Sequence, residues 1–277
     1  MALVAARLQF SGCTVGKAHE DPPPQTFSAD SPFLRLPAEL RNRIYELVLT
    51  STEKRLRFAD DGPCGKPRIY EPFPRFSKRD FNQLKYVCRE LYQETAGLEA
   101  KFNILEITGG QWPKPGPARI FNKFLRGCAP AKRRWFVKVI LRQRHSGHSF
   151  MEIIEPASDV LPIADFCRQY PHVKVAYLVE GFEYKLYSVR RFIKAGYFIT
   201  MAVRGRNLFN EQQSQLLPQV TLARRWTNEQ GIARMKVPNL RIWPAVEDDV
   251  CFAALLPQGS VLSRWVGLMQ KWAKVGI

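Results

Sequence analysis

The apolar residues near the N-terminal end recur at helical spacing. Residues 37–50 place Leu40, Ile44, Leu47 and Val48 along one side of a helix, because residues three or four positions apart share a helix face. A proline at the start of this segment suits the first turn of a helix. We therefore expect a helix with one continuous apolar stripe.

A second helix is predicted over residues 82–100. Its apolar stripe consists of Leu84, Val87, Cys88, Leu91, Tyr92 and Leu98. Residues 102–107 then predict a strand, which two glycines close.

Elsewhere, some segments alternate between apolar and polar residues, which predicts strands, and others have helical spacing. Strands are expected at residues 55–58, 134–142, 149–154, 173–179 and 239–243. Helices are expected at residues 118–125, 157–168, 186–196 and 261–274. In the strand at 134–142, Trp135 and Val137 are expected on the core face. The rest of 54–80 is irregular, and no element is assigned at 205–239.

These elements predict a mixed α/β fold of the α+β class. A helical N-terminal module at residues 31–108 precedes an α/β domain at 109–277. The irregular helix–strand units of the second part are compatible with a leucine-rich-repeat-like arrangement. Residues 1–30 are expected to be a disordered tail, because consecutive prolines remove hydrogen-bond donors and fix φ.

The composition of the chain is unbalanced in charge. The 277 residues carry 42 Lys and Arg against 25 Asp and Glu, a net charge of +17. Such a chain suits an acidic partner, which would be nucleic acid, an anionic membrane surface or an acidic protein face. No apolar run approaches the roughly 18 residues of a membrane span. The six cysteines form no C-x-x-C pair, which predicts reduced thiols and a cytoplasmic and/or nuclear location.

The densest basic stretch, residues 107–151, contains no Asp or Glu. Its basic residues are Lys114, Arg119, Lys123, Arg126, Lys132, Arg133, Arg134, Lys138, Arg142 and Arg144. Trp112 and Trp135 lie among them, so this basic face has the residue types that bind phosphates and stack on bases. A solvated face is the alternative, because no RRM, KH, zinc-finger or helix-turn-helix signature is present. An acidic protein partner is favoured over nucleic acid.

The sequence offers little catalytic chemistry. It contains no G-x-S-x-G, P-loop or G-x-G-x-x-G motif. His145 and His148 have metal-ligand spacing but lack a third ligand, and the acidic run at 247–249 is typical of a solvated loop. Cys88 and Cys167 lie on apolar stripes and are expected in the core. We therefore expect neither an enzyme nor a bound metal or other cofactor.

Two segments resemble a known family. Residues 34–49 read Leu-Arg-Leu-Pro-Ala-Glu-Leu-Arg-Asn-Arg-Ile-Tyr-Glu-Leu-Val-Leu. This resembles the opening of the F-box-like proteins of filamentous fungi, which typically begin Leu-Pro-x-Glu-Leu/Ile-Arg-Asn-x-Ile-Tyr-Glu. Residues 84–95 resemble the second signature of that group, in which a helix leads into an aromatic–Asn strand, here Phe102 and Asn103.

The resemblance implies a non-enzymatic adaptor. An F-box helix packs on the Skp-type adaptor subunit of a cullin-RING ubiquitin ligase, and the C-terminal domain, here 109–277, binds the target. The positions that match the F-box pattern are Leu36, Pro37, Glu39, Ile44, Leu47 and Leu49. Because the Skp-type subunit is typically acidic, Arg35, Arg41 and Arg43 are expected to steer the encounter.

Other interpretations stay open. A compact F-box continues with two more helices, whereas a long, irregular, basic segment follows the first helix here. The apolar stripe of residues 37–50 would equally fit packing against the helix at 82–100. The alternative functions are a nucleic-acid-associated protein that uses the basic face and an F-box-like domain without ligase coupling.

Overall fold

The computed structural model describes most of the chain from residue 31 onward. The described residues are 31–59, 67–72, 80–109, 115–144, 155–180, 186–205, 217–226, 229–244 and 265–277. The expected tail at 1–30 and the expected strand at 149–154 lie outside them.

A six-stranded sheet is the centre of the fold. Its strands are β1 (Arg55–Ala59), β2 (Arg68–Tyr70), β3 (Ile104–Thr108), β4 (Lys138–Arg144), β5 (Lys174–Glu180) and β6 (Leu240–Pro244). The order is β2-β1-β3-β4-β5-β6, so the parallel strands lie side by side in the order in which the chain forms them. Among the strands of the described residues, β2 alone is antiparallel to its neighbour. Helices connect the parallel strands, as such crossovers require.

The helices alternate with the strands along the chain. They are α1 (Ala38–Leu49), α2 (Arg89–Thr95), α3 (Glu99–Phe102), α4 (Pro117–Gly127), α5 (Pro130–Arg133), α6 (Ala157–Gln169), α7 (Leu186–Ile199), α8 (Leu217–Trp226), α9 (Glu229–Met235) and α10 (Val266–Val275). A 3₁₀ turn at Leu84–Tyr86 precedes α2, and a π-helical segment at Thr200–Arg204 follows α7. Among the described residues, no helix is long and apolar enough to cross a membrane.

The sheet has one apolar and one polar face, because successive strand residues point to opposite sides. Leu105, Ile107, Val139, Leu141 and Tyr177 belong to the main core, and each is at most 2 % exposed. The helices contribute to the same core through residues such as the edge-to-face pair Phe121 and Phe166. The intervening strand residues form the polar face, which is largely charged.

A second, smaller core lies under the N-terminal helices. Tyr45 and Leu49 of α1 and Leu91 of α2 are its buried members. Phe33, Leu34, Phe81, Leu84, Cys88, Leu98 and Phe102 pack around them. The N-terminal helices therefore have their own packing, although β1 and β3 belong to the common sheet.

Ile277 pairs with the outer edge of β6 at one position. The backbone N–H of Ile277 donates to the carbonyl of Ile242 at 2.8 Å, and the N–H of Ile242 donates to the carbonyl of Ile277 at 3.1 Å. Gly276, at φ +73°, makes the turn that allows this pairing. At Ile242 the edge of β6 is therefore not open to pairing with another strand.

The mixed α+β class is confirmed, and so are the strands expected near 55–58, 102–107, 173–179 and 239–243. The single helix expected over 82–100 is wrong: the structure has a 3₁₀ turn and two short helices there. Gly97 at φ +85° separates the two helices, because this left-handed conformation ends a helix. The irregular segment 54–80 contains the unexpected strand β2.

The boundary expected at residue 108 falls between β3 and β4, which are paired in the one sheet. The strand expected at 134–142 begins later, at Lys138. Val137 therefore lies ahead of the strand and is 54 % exposed instead of facing the core. Trp135 is half-buried beside Lys132, whose ammonium lies 5.7 Å from the ring centroid.

The contact between α7 and α10 yields a test of the packing. A Cβ on Gly196 would lie 2.3 Å from two ring atoms of Trp272, which is 3 % exposed. Gly196→Ala should therefore lower the free energy of unfolding by about 1–3 kcal/mol, because the overpacked ring has nowhere to move.

Gly267, also in a helix, is the matched control for that substitution. No heavy atom lies within 4 Å of a Cβ placed there, so Gly267→Ala should raise the free energy of unfolding by about 0.5 kcal/mol. Urea unfolding of both variants measures the difference. Equal stability of the two variants would contradict the close packing of α7 on α10.

Candidate partner-docking surface

One side of α1 is fixed to the rest of the chain. Arg41, Tyr45 and Leu49 lie four residues apart, so they share one face of the helix. Tyr45 and Leu49 are each 1 % exposed and pack with Leu91 of α2. The ring of Phe33, which precedes the helix, lies 5.8 Å from that of Tyr45.

Polar contacts among Arg41, Tyr45 and Glu94, which we call the polar clamp, reinforce this packing. The guanidinium of Arg41 donates two hydrogen bonds to the carboxylate of Glu94 in α2, at 2.7 and 3.2 Å. The hydroxyl of Tyr45 donates to the same carboxylate. Arg41 also donates to the backbone carbonyls of Leu34 and Leu36. One side chain therefore fixes both the helix and the segment that precedes it.

The clamp changes the acidity of its members. Burial, followed by the hydrogen bond to Glu94, raises the pKa of Tyr45, so the hydroxyl stays protonated and continues to donate. Burial acts to raise the pKa of Glu94, but the hydrogen bonds from Arg41 and Tyr45 outweigh it and lower the pKa. The carboxylate is therefore kept ionised.

The C-terminal end of α1 is held by Asn103, which is 4 % exposed. Its side-chain NH₂ donates to the carbonyls of Leu49, at 2.6 Å, and Glu99, at 2.8 Å. Its side-chain oxygen accepts from the backbone N–H of Ser51 at 2.8 Å. A single buried amide therefore joins α1, α3 and the connection to β1.

The adjoining face of α1 is exposed and apolar. Leu40 is 53 % exposed, Leu47 67 % and Val48 53 %, while Ile44 between them is half-buried. Large exposed apolar side chains are common singly, but a row of them on one helix face indicates an interaction surface. We call Leu40, Ile44, Leu47 and Val48 the α1 stripe.

The residues matched to the F-box pattern do not all lie on this surface. Leu47 is exposed in the stripe, and Ile44 is a half-buried member of it. Leu36 is half-buried just before the helix, where Pro37 and Glu39 are exposed. Leu49 lies in the chain's own small core, so it is not available to a partner.

The three arginines expected to steer a partner have different environments. Arg41 is engaged in the clamp with Glu94, so it does not serve the steering role expected of it. Arg43 is exposed and pairs with Glu46 one turn along the helix at 2.8 Å. Arg35 is exposed ahead of the helix.

Further exposed apolar residues follow the 3₁₀ turn. Tyr86 is 65 % exposed, Val87 54 % and Tyr92 47 %. The sequence pattern predicts that Val87 and Tyr92 belong to an apolar stripe that faces the core. That expectation is wrong because the helix breaks between Tyr86 and Arg89, which changes the direction of every following side chain.

The basic residues of 107–151 do not form one face. Arg119, Lys123 and Arg126 are exposed on α4, whose other side is buried in the main core. Lys138 and Arg142 lie on β4 among the residues that alternate with the core. The basic residues of α4 and β4 are therefore on different sides of the sheet.

The basic residues of α5 have local structural roles. Lys132 donates to the carbonyl of Ala96, and Arg133 donates to that of Cys128 at 3.2 Å. Arg134 is exposed next to them. Lys114, Trp112 and the side chain of Arg144 lie outside the described residues.

The described residues show no group of three or more His, Cys, Asp or Glu side chains arranged to hold a metal ion. Burial raises the pKa of the Cys167 thiol to about 12, so this cysteine is protonated and unreactive. Cys88 is half-buried and caps α2, where its sulfur accepts from the N–H of Leu91. His145, His148 and residues 247–249 lie outside the described part of the chain.

Sequence reasoning found the α1 stripe but not the residues that orient it. Tyr45, Glu94 and Asn103 all lie within or next to the two segments that resemble the F-box-like family, but their residue types alone do not predict that they anchor the helix. The usable signal was the spacing of Arg41, Tyr45 and Leu49, which marks a second face on the same helix.

Comparisons with known proteins identify no relative: no family model, no curated protein and no solved structure matches the chain.

The clamp predicts a pH dependence of stability. Because folding lowers the pKa of Glu94, its contribution is complete above the ordinary value of 4.5 and is lost as the pH falls through the lower folded value. Glu94→Gln should therefore destabilise the protein at neutral pH, and the difference from wild type should shrink below pH 4.5.

Urea unfolding at a series of pH values measures this effect. Glu46→Gln is the control, because the pair that Glu46 makes with Arg43 is exposed and such pairs contribute little. A Glu94→Gln effect that stays constant as the pH falls would contradict the ionised clamp.

Replacement of Asn103 is expected to cause a larger loss of stability than replacement of Glu94. Asn103→Ala would leave the carbonyls of Leu49 and Glu99 and the N–H of Ser51 without their side-chain partner, and buried unsatisfied groups are costly. We expect the free energy of unfolding to fall by about 2–4 kcal/mol. Hydrogen exchange of the amide of Ser51 should also accelerate, and an unchanged exchange rate would refute the assignment.

Proposed function

We propose that the chain is a non-enzymatic, F-box-like adaptor. Its helix α1 would dock on a Skp-type adaptor subunit and so bring a bound target to a cullin-RING ubiquitin ligase. The observation that carries the proposal is the α1 stripe: a row of largely exposed apolar side chains lies on a helix whose adjoining face is anchored. The resemblance of residues 34–49 to the F-box opening supplies the identity of the partner.

The anchoring of α1 favours docking over internal packing. Packing on the following helices uses Arg41, Tyr45 and Leu49, so the stripe is left for another surface. An amphipathic helix presented in this way suits recognition by a groove, with anchors at spacings of three and four residues. Because the clamp and Asn103 hold the helix, little conformational entropy is lost on binding.

The energy available from the stripe is adequate for specific binding. Full burial of a leucine or valine side chain stabilises a complex by roughly 1.5–3 kcal/mol. Leu40, Leu47 and Val48 are all more than half exposed in the free chain, so a partner can remove most of their area from water. The net charge of +17 would accelerate encounter with an acidic subunit.

Binding to a purified Skp-type subunit tests the proposal. The docking variant is Leu40→Ala with Leu47→Ala, which shortens two exposed side chains and leaves the small core intact. The expected result is saturable binding by wild type and at least about tenfold weaker binding by the variant, since each lost contact is worth more than about 1.4 kcal/mol.

The matched control is Val137→Ala with Val275→Ala, which removes exposed apolar side chains elsewhere, at 54 % and 39 % exposure. This control should bind as wild type does. Absence of wild-type binding at low salt, or equal loss in both double variants, would refute docking through the α1 stripe. Unfolding curves of all three proteins show whether each remains folded.

A further inference from the structure

The polar face of the sheet carries a concentration of basic residues. Among the described strand residues on this face, the basic ones are Arg55, Arg57, Arg68, Lys138, Arg142, Lys174 and Arg241. The acidic ones are Glu106 and Glu180. The strands are about 4.8 Å apart, so the cations between β1 and β6 span roughly 19 Å. We call this set the basic sheet face.

Two carboxylates hold part of this face in a fixed arrangement. Glu106 is completely buried and lies 3.3 Å from Arg55, 3.1 Å from Arg57 and 3.2 Å from Arg142. Glu180 lies 2.5 Å from Arg142. The three guanidinium groups outnumber the two carboxylates, so positive charge remains.

The arginines on β1 remain accessible. The side chain of Arg55 is 37 % exposed and that of Arg57 is 43 % exposed, although both contact the buried carboxylate. Ion pairs to Glu106 fix their direction and leave other N–H groups open to solvent. Such preorganised donors bind carboxylates well, because little side-chain entropy is lost.

The remaining lysines of this face lie beside each other. Lys138 of β4 and Lys174 of β5 are direct neighbours in the parallel register. Like charges at facing positions are unfavourable, and no ion pair joins either lysine to an acidic residue in the described part of the chain. An anion placed between them would relieve this repulsion.

Aliphatic residues also lie among the cations on this face. On the same face, Ile104 and Leu178 are half-buried, whereas Ile140 and Ala176 are buried at 6 % and 7 % exposure. The aromatic residues Tyr70 and Trp243 occupy β2 and β6, at the two ends of the sheet. A surface for single-stranded nucleic acid would place aromatic rings among the cations for stacking, so the alternation of cations with aliphatic side chains favours a protein ligand.

We infer that the basic sheet face binds an extended acidic protein segment that carries both carboxylates and apolar side chains. The carboxylates would contact the Arg55–Arg57 pair and the Lys138–Lys174 pair. Apolar side chains would lie over Ile104, which separates the two pairs across the sheet, and over Leu178. The inference does not rest on the docking of α1, since it concerns other elements and is tested with the chain alone.

Fluorescence anisotropy with a labelled peptide of mixed glutamate and leucine residues tests the inference. The site variant is Lys138→Glu with Lys174→Glu, because neither lysine is needed for the Glu106 ion pairs. We expect wild type to bind with an affinity that falls as salt rises, and the site variant to bind at least about tenfold more weakly.

The matched control is Arg119→Glu with Arg126→Glu, which makes the same change in net charge on the exposed side of α4. The control should retain binding within about threefold, because only long-range attraction changes. Equal losses in the two variants would show that net charge alone attracts the peptide, and the inference would be wrong.

Single-stranded DNA and RNA of similar charge form the second arm. Tighter binding of either nucleic acid than of the peptide at matched salt, lost in the site variant but not in the control, would assign the face to nucleic acid and overturn the inference. No wild-type binding to the peptide at low salt would overturn it as well. Urea unfolding establishes that each variant remains folded.

Discussion

Burial of one face of the parallel sheet determines where the other features of the molecule lie. Leu105, Ile107, Val139 and Leu141 are all within 2 % of complete burial, and the helices pack their apolar sides against them. Because neighbouring strand residues point in opposite directions, this burial places every intervening residue on the other face. A shift of one residue in register would exchange the two faces, so the core strongly specifies the arrangement.

The buried carboxylate of Glu106 follows from the same constraint. It lies on the polar face at the centre of β3, where the side chains of Arg55, Arg57 and Arg142 cover it completely. A buried carboxylate without these partners would carry a large desolvation penalty. The ion pairs therefore explain both why an acid is tolerated inside the sheet and why the arginines around it have fixed directions.

The sequence was most informative where one periodicity dominated. Strands β1, β3, β5 and β6 were predictable because their core residues alternate strictly. The segment 82–100 was not, because one apolar stripe at helical spacing does not reveal the left-handed Gly97 that divides it. Strand β2 was missed because three residues beside prolines give too short a pattern, and its pairing with β1 is a tertiary effect.

The candidate docking surface could also be predicted only in part from the sequence. The α1 stripe follows from sequence spacing, but α1 has a second face of Arg41, Tyr45 and Leu49. Periodicity cannot decide which of two such faces turns inward. The partner residue Glu94, which lies 53 positions from Arg41, decides it. The basic residues of 107–151 are also close in sequence but diverge in space, because α4 and β4 present theirs on different sides of the sheet.

The two proposed surfaces are held by different kinds of interaction, and this affects how each can bind. The α1 stripe is apolar and depends on a helix fixed by the clamp and Asn103, so most of its affinity should come from removal of area from water, and salt should act mainly on the rate of encounter. The basic sheet face depends on charge fixed by ion pairs, so its affinity should fall as ionic strength rises. Because the stripe lies on α1 and the basic face on the strands, one chain has the means to engage two partners through separate elements. The proposed adaptor role requires such an arrangement.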